Sequence, residues 1–159
     1  MRQDQGIRRA LSLLVVCGGL AALFATAPSA AQPENRVIIL GRSIGGIERG
    51  EPRSRVEKLF GLGSSADRGL VRYFEGRLLV DYWFHDGLTT QVEAVLTRWS
   101  GFHTRAGVHV GSTRRELRAL HVACVYGECS LQAGRMPDAP GTLFTMRHGK
   151  VTEIYVGRN

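Results

Sequence analysis

The stretch Gly50–Gly61, GEPRSRVEKLFG, decides the fold, because its plan returns at Gly111–His121 as GSTRRELRALH. In the first copy Pro52 suits the first turn of a helix, and Val56, Leu59 and Phe60 share one face at i, i+3, i+4 spacing before Gly61 closes the element. In the second copy Ser112 stands where Glu51 does and is placed to cap the helix, while Leu117 and Leu120 match Val56 and Leu59. Gly50 and Gly111 lie 61 positions apart.

After each helix the apolar period changes from helical to alternating. Val37–Leu40 is a β-branched run that reads as a strand or packed arm ahead of the first helix, with Gly41–Gly46 breaking it. Beyond that helix Val71–Glu75, Leu78–His85 and Leu88–Trp99 read as strands, with Glu75-Gly76 and Asp86-Gly87 as hairpin turns. Thr142–Arg147 and Val151–Gly157 repeat the pattern around His148-Gly149, and the turn glycines Gly87 and Gly149 are 62 positions apart. Two landmarks that agree within one residue point to a tandem duplication. The expected fold is α+β: two tandem units, each a short helix packed on an antiparallel meander, joined in one sheet-and-helix layer. The division is 1–31 signal peptide, 32–43 lead and short strand, 44–101 first unit and 102–159 second unit, the last made less regular by the Ala133–Gly141 loop.

The N-terminus has the pattern of an export signal. Arg2, Arg8 and Arg9 precede an apolar run, Ala10–Phe24, that is short for a membrane span, and Ser29-Ala30-Ala31 supplies small residues for cleavage before Gln32. An uncleaved anchor is the alternative; Arg8-Arg9 also leaves Sec and twin-arginine export open. The expected location is secreted or periplasmic. The 21 Lys and Arg, less those three arginines, face the 14 Asp and Glu, less Asp4, so the chain from Gln32 carries about +5. Only Lys58 and Lys150 are lysines, an arginine bias that a high-GC genome explains, and the charge is too diffuse to argue for nucleic acid.

Removal of the signal removes Cys17 and leaves Cys124 and Cys129, an even count that in an exported protein favours a disulfide across the short Val125–Glu128 loop. A reactive thiol would need a neighbouring base, and a metal site more ligands at definite spacing. A bridge over so short a loop shapes that loop more than it holds the fold together.

Strand register is where function is to be sought. The duplication aligns Tyr82, Phe84, Val92 and Ala94 with Phe144, Met146, Ile154 and Val156, an apolar set expected to face the helices. The opposite face then carries Leu79, Asp81, Trp83 and His85, then Val95, Thr97 and Trp99, joined by Arg147, Glu153 and Tyr155. Two tryptophans and a tyrosine among charges on an outward face make a contact surface, with Trp83, Trp99, Tyr155, Asp81, His85 and Arg147 as the candidate partner-binding residues. For each tryptophan the other reading is packing under a loop or against the other unit.

This pattern, a Gly and helix with paired apolar positions followed by a meander ending in aromatic-x-x-x-Gly-x-x-x-hydrophobic, resembles the tandem repeat of the β-lactamase inhibitor protein fold. It is also similar to the small lipoprotein of the outer-membrane β-barrel assembly machine. The likeness covers most of Ile44–Gly157. It implies an exported protein that works by protein–protein contact, in the inhibitor through an aromatic-rich concave sheet face. Neither a lipobox cysteine nor a transferable inhibitory loop is present.

The sequence therefore reads as an exported protein-binding module, an inhibitor or cell-envelope accessory, that acts through the open face of its sheet, has a protein partner and no cofactor, and is not an enzyme. The alternative is a small extracytoplasmic metal-binding protein or hydrolase using His85 with Asp81 or Asp86. The histidines His85, His103, His109, His121 and His148 show no metal-binding spacing. Ser64-Ser65 lacks the setting of a nucleophile elbow or phosphate loop. Arg114, Arg115 and Arg118, with Arg53, Arg55 and Lys58 in the other copy, are suited to acidic polymer or lipid headgroups, but read first as the solvated back of an amphipathic helix.

Overall fold

A computed structural model describes residues 35–67, 69–85, 89–132 and 140–158, and at 84, 85, 89, 90, 132 and 140 it describes the backbone only. The signal segment, the Asp86-Gly87 turn and the interior of the Ala133–Gly141 loop lie outside the described residues. The chain is mixed α+β but dominated by strands. A small sheet near the N-terminus is built from β1 (Val37–Ile39), β2 (Ser43–Ile44), β3 (Ile47–Glu48) and β8 (His103–Thr104), in the order β3-β2-β1-β8. The second sheet has eight strands: β4 (Ser64–Ser65), β5 (Leu70–Tyr73), β6 (Leu78–His85), β7 (Thr89–Thr97), β9 (Ala123–Val125), β10 (Glu128–Gln132), β11 (Pro140–Arg147) and β12 (Lys150–Arg158). Their spatial order is β4-β5-β6-β7-β12-β11-β10-β9, so two meanders meet where β7 pairs antiparallel with β12. The expected single layer is thus two sheets, because the isoleucine-rich arm pairs with β8 instead of joining the meander.

The two α-helices among the described residues are short. Helix α1 (Arg53–Phe60) starts at Pro52 and stops at Gly61, whose φ of 78° is costly for any residue with a Cβ. Its face is narrower than the spacing implied: Val56 is fully buried and Phe60 packs on the core, but Leu59 is 46% exposed. Helix α2 (Arg114–Leu117) is capped by Thr113 and not by Ser112. Thr113 and Glu116 form a reciprocal capping box, whereas Ser112 is buried and its Oγ accepts from the His109 amide. The chain entering both helices is tied to the large sheet alike. Gly50 N–H donates to Val92 and the Val92 N–H to Glu51; Gly111 N–H donates to Val151 and the Val151 N–H to Ser112.

One continuous core lies between the large sheet and the elements that cover it. Ile38, Ile44, Ile47, Val56, Phe102, Val108 and Leu117 meet Tyr73, Leu78, Val80, Tyr82, Val92, Val95, Phe144, Val151, Ile154 and Val156 from the sheet. Each of the two long hairpins carries one extra residue. Asp81 pairs with Ala94 but Tyr82 with Val92, leaving Glu93 as a bulge; Thr145 pairs with Glu153 but Met146 with Val151, leaving Thr152. The bulge at Glu93 reverses which residues of β7 face inward. Val95 and Thr97, expected on the outer face, are buried opposite Val80 and Leu78. Ala94, expected in the core, is buried at 3% exposure but lies opposite Asp81 on the other face, since directly paired residues share a side.

Candidate functional site

On the uncovered face of the large sheet the register sets out rows that cross the strands. Leu79, Leu96, Tyr155 and Leu143 pair in line across β6, β7, β12 and β11, a half-buried apolar row. On one side of it Arg98 Nε donates to Glu153 Oε2 at 2.7 Å. On the other side come Asp81 and Ala94, with Gly157 against Ala94. Beyond them Trp83 pairs with Gln91, beside the ion pair of Arg49 with Glu93 at 3.2 Å.

Gly157 makes this floor low. A Cβ there would stand 2.6 Å from the Ala94 Cβ and 2.6 Å from Tyr155 Oη, so only glycine lets the tyrosine ring lie along the strand. The ring is fixed at its end by a hydrogen bond from Tyr155 Oη to the Arg158 carbonyl, 2.9 Å. A groove of about 750 Å³ opens beside this floor, lined by Arg49, Gly50, Trp83, Gln91, Val92, Glu93 and Arg158. Trp83 is 53% exposed on its wall.

The site is electrostatically coupled. Partial burial, then the Glu93 charge, raises the Asp81 carboxyl above its ordinary value. Burial likewise raises the Tyr155 phenol, with Glu93 and Asp81 adding to it and Arg49 opposing. Asp81 and Tyr155 are thus both raised first by burial and then by the charge of Glu93.

Of the six candidate residues, Trp83, Asp81 and Tyr155 come together on this face. Trp99 does not. It follows the end of β7 and packs edge-on against Phe74 and Phe102, with ring centroids 5.0 and 5.3 Å away and the Arg36 and Arg77 guanidinium groups over its ring. Its ring covers Gly101, where a Cβ would meet it at 2.1 Å. This is the loop-packed alternative, and it takes Trp99 off the open face. Arg147 is exposed at the far end of β11, opposite Lys150 in the His148-Gly149 hairpin. His85 ends β6 opposite Thr89, and its side chain lies outside the described residues, as does Asp86. Among the described residues no group of three or more His, Cys, Asp or Glu is placed to hold a metal ion.

Reading the sequence missed Leu96, Leu143, Ala94, Gly157, Arg49 and Glu93. A signal existed for Ala94 and Leu96: Ala94-Val95-Leu96 puts three apolar residues in succession, which breaks alternation and marks the bulge. Cys124 and Cys129 are joined by a disulfide between directly opposed positions of β9 and β10, as the spacing implied. No helix among the described residues is long and apolar enough to cross a membrane. Comparison with known proteins gives no match, whether to a protein-family model, a curated protein or a solved structure.

Proposed function

We propose that this chain is an exported protein-binding module that holds its partner on the uncovered face of the eight-stranded sheet. The observation that carries the reading is Trp83, a large aromatic side chain left 53% exposed on the wall of a groove whose neighbouring floor is small and whose far side is an apolar row. Isolated exposed apolar residues need no explanation, but an aromatic side chain beside a recess and an aligned leucine–tyrosine row has the make-up of an interface centre. Arg49, Glu93 and Asp81 supply the charged rim that would orient the partner. Export is supported by the N-terminal pattern and by the disulfide.

The same reading treats the chain as a duplicated unit of helix and meander. What supports it is the recurrence of three features: the paired backbone bonds at Gly50 and Gly111, the bulges at Glu93 and Thr152, and a strand order in which the two meanders mirror each other about β7 and β12. In this arrangement the groove is lined mostly by the first unit, with Arg158 from the second, and the row beside it is completed by Tyr155 and Leu143 of the second.

The test is affinity capture from the envelope fraction of the source cell with wild type and Trp83→Ala, both checked for folding by circular dichroism. A specific captured protein that is lost with folded Trp83→Ala is the expected result. Equal capture by the folded variant would remove this face from consideration.

A further inference from the structure

We propose that the end of the molecule formed by α2, the β9–β10 hairpin and the β11–β12 hairpin is a docking surface for an anionic phospholipid bilayer, separate from the Trp83 groove. The two halves of the chain differ in charge. Residues 44–101 carry eight Lys or Arg and eight Asp or Glu, whereas 102–159 carry eight against four.

Part of the difference lies at the helices: Gly50–Gly61 holds three cations against two carboxylates, and Gly111–His121 three against one. On α1 Arg53 pairs with Glu57 and Arg55 with Glu51, each at 2.7 Å, which leaves Lys58 as the one cation of that helix without an ion pair among the described residues. At the matching place on and just after α2 stand Arg114 and Arg118, two cations four residues apart, a spacing at which like charges repel. Neither they nor Arg115 make an ion pair among the described residues, and Glu116 is held by the Thr113 cap. Arg114 and Arg118 line a hollow of about 300 Å³ with Leu117, Val122 and Cys124, a recess fitted to an anionic headgroup.

Two further features converge on the same end. The Arg114 amide donates to Gly149 and Thr113 bridges to Lys150, which brings Arg147, His148 and Lys150 of the β11–β12 turn alongside. The Met146 amide donates to the Gly127 carbonyl, which sets the tip of the β9–β10 hairpin next to that turn. At this tip Tyr126 is 103% exposed and Val125 63% exposed. Tyr126 also holds a φ of 47°, a left-handed conformation that suits Asn or Gly and is unfavourable for a bulky residue. The disulfide immediately behind fixes the tip in place. A projecting tyrosine and valine, with Glu128 opposite Val125, at the same end of the molecule as Arg114, Arg115, Arg118, Arg147 and Lys150 is the composition of an interfacial anchor in which the cations outnumber the carboxylate. Cations are drawn to anionic headgroups, the tyrosine ring sits at their level, and the valine reaches the acyl boundary.

The test is co-sedimentation of the protein, recovered from the extracytoplasmic fraction of an exporting host, with vesicles of phosphatidylcholine alone or mixed with phosphatidylglycerol. Wild type should bind the mixed vesicles and lose them as salt rises. Arg114→Gln/Arg118→Gln should bind about 25-fold more weakly, at roughly fivefold per cation near an anionic surface. This variant should fold at least as stably as wild type because the repulsion is gone, so loss of binding cannot be ascribed to unfolding. Tyr126→Asn, which suits the turn better, should also bind more weakly, and Trp83→Ala should bind as wild type does. Equal binding to both vesicle types, or undiminished binding by the double variant, overturns the proposal. So does capture by immobilised polyglutamate without vesicle binding, which would assign the surface to an acidic polypeptide.

Discussion

Truncating each tryptophan in turn separates the two roles that the structure gives them. Trp83 is 53% exposed, so Trp83→Ala removes about half of the roughly 200 Å² that a buried tryptophan contributes. At about 25 cal/mol per Å² that is at most ~2.5 kcal/mol, and less when measured against a compact unfolded chain. Trp99 instead makes two edge-on ring contacts and lies under two guanidinium groups. The ring pairs are worth about 0.5–1.5 kcal/mol each beyond area. With the cavity left behind, Trp99→Ala should cost on the order of 3–5 kcal/mol, a large part of a typical domain's stability. Urea denaturation followed by far-UV circular dichroism gives the ranking. Because Trp83 and Trp99 are the chain's two tryptophans, Trp83→Phe and Trp99→Phe each leave a single fluorescent reporter. Acrylamide should quench the remaining Trp83 strongly and the remaining Trp99 weakly. If Trp83→Ala proves the costlier truncation, or Trp99 the more readily quenched ring, the assignment of one to a surface and the other to a packed loop is refuted.

The cap of α2 and the carboxyl of the open face provide two further checks. Thr113→Ala removes the side-chain half of the capping box and should cost about 1 kcal/mol in urea denaturation. The Thr113 backbone and side-chain hydrogen bonds hold the Glu116 carboxyl below its ordinary value, so its contribution is present above the usual carboxylate range and lost as pH falls through the lowered folded value. Wild type should show that acid-side loss and Glu116→Gln should not. Asp81 has the opposite sign, since burial and then Glu93 raise its folded value above the unfolded one. Its ionised form therefore disfavours the folded state as pH rises through the folded value, and Asp81→Asn should be more stable than wild type at neutral pH. That advantage should vanish below the ordinary aspartate range; a constant advantage across thermal melts at acid and neutral pH would rule out an ionisation effect.

The long strands were legible because alternation over eight or nine residues has few competing readings, whereas the two-residue strands, β9 and β10 were not. Leu78–His85 is a strand with the expected bounds, and the His148-Gly149 turn has positive φ at both residues, as a tight hairpin needs. The bulges were harder to read, because one inserted residue leaves composition unchanged while it exchanges the two faces of everything beyond it. Tracing strict alternation through Val92-Glu93-Ala94-Val95 put Val95 and Thr97 on the wrong side and hid the aligned row that Leu96 makes with Leu79 and Tyr155. Trp99 was misplaced for a related reason: alternation ends at Thr97, and the chain beyond it turns to cover Gly101 and join Phe102 in the core.

Local pattern identifies elements but not what they pack against, and this bears on the candidate site. Trp83 could be placed outward because β6 has no bulge of its own, so Leu78, Val80 and Tyr82 face in and Leu79, Asp81 and Trp83 face out. Tyr155 sits beyond the Thr152 bulge in the second unit, and its approach to Gly157 and Ala94 depends on the β7–β12 junction, a contact between residues about sixty positions apart. Pairing of that range is set by the whole sheet. The charges behave differently. Arg53 with Glu57 against Arg114 with Arg118 is a contrast in the sequence itself, but it becomes informative only when the same backbone bonds are found leading into both helices. Arg53 and Glu57 are half-buried, whereas Arg114 and Arg118 are exposed, so close packing does not require the repelling pair. A cost that packing does not demand at one of two matching sites is best accounted for by something outside the chain that carries the opposite charge.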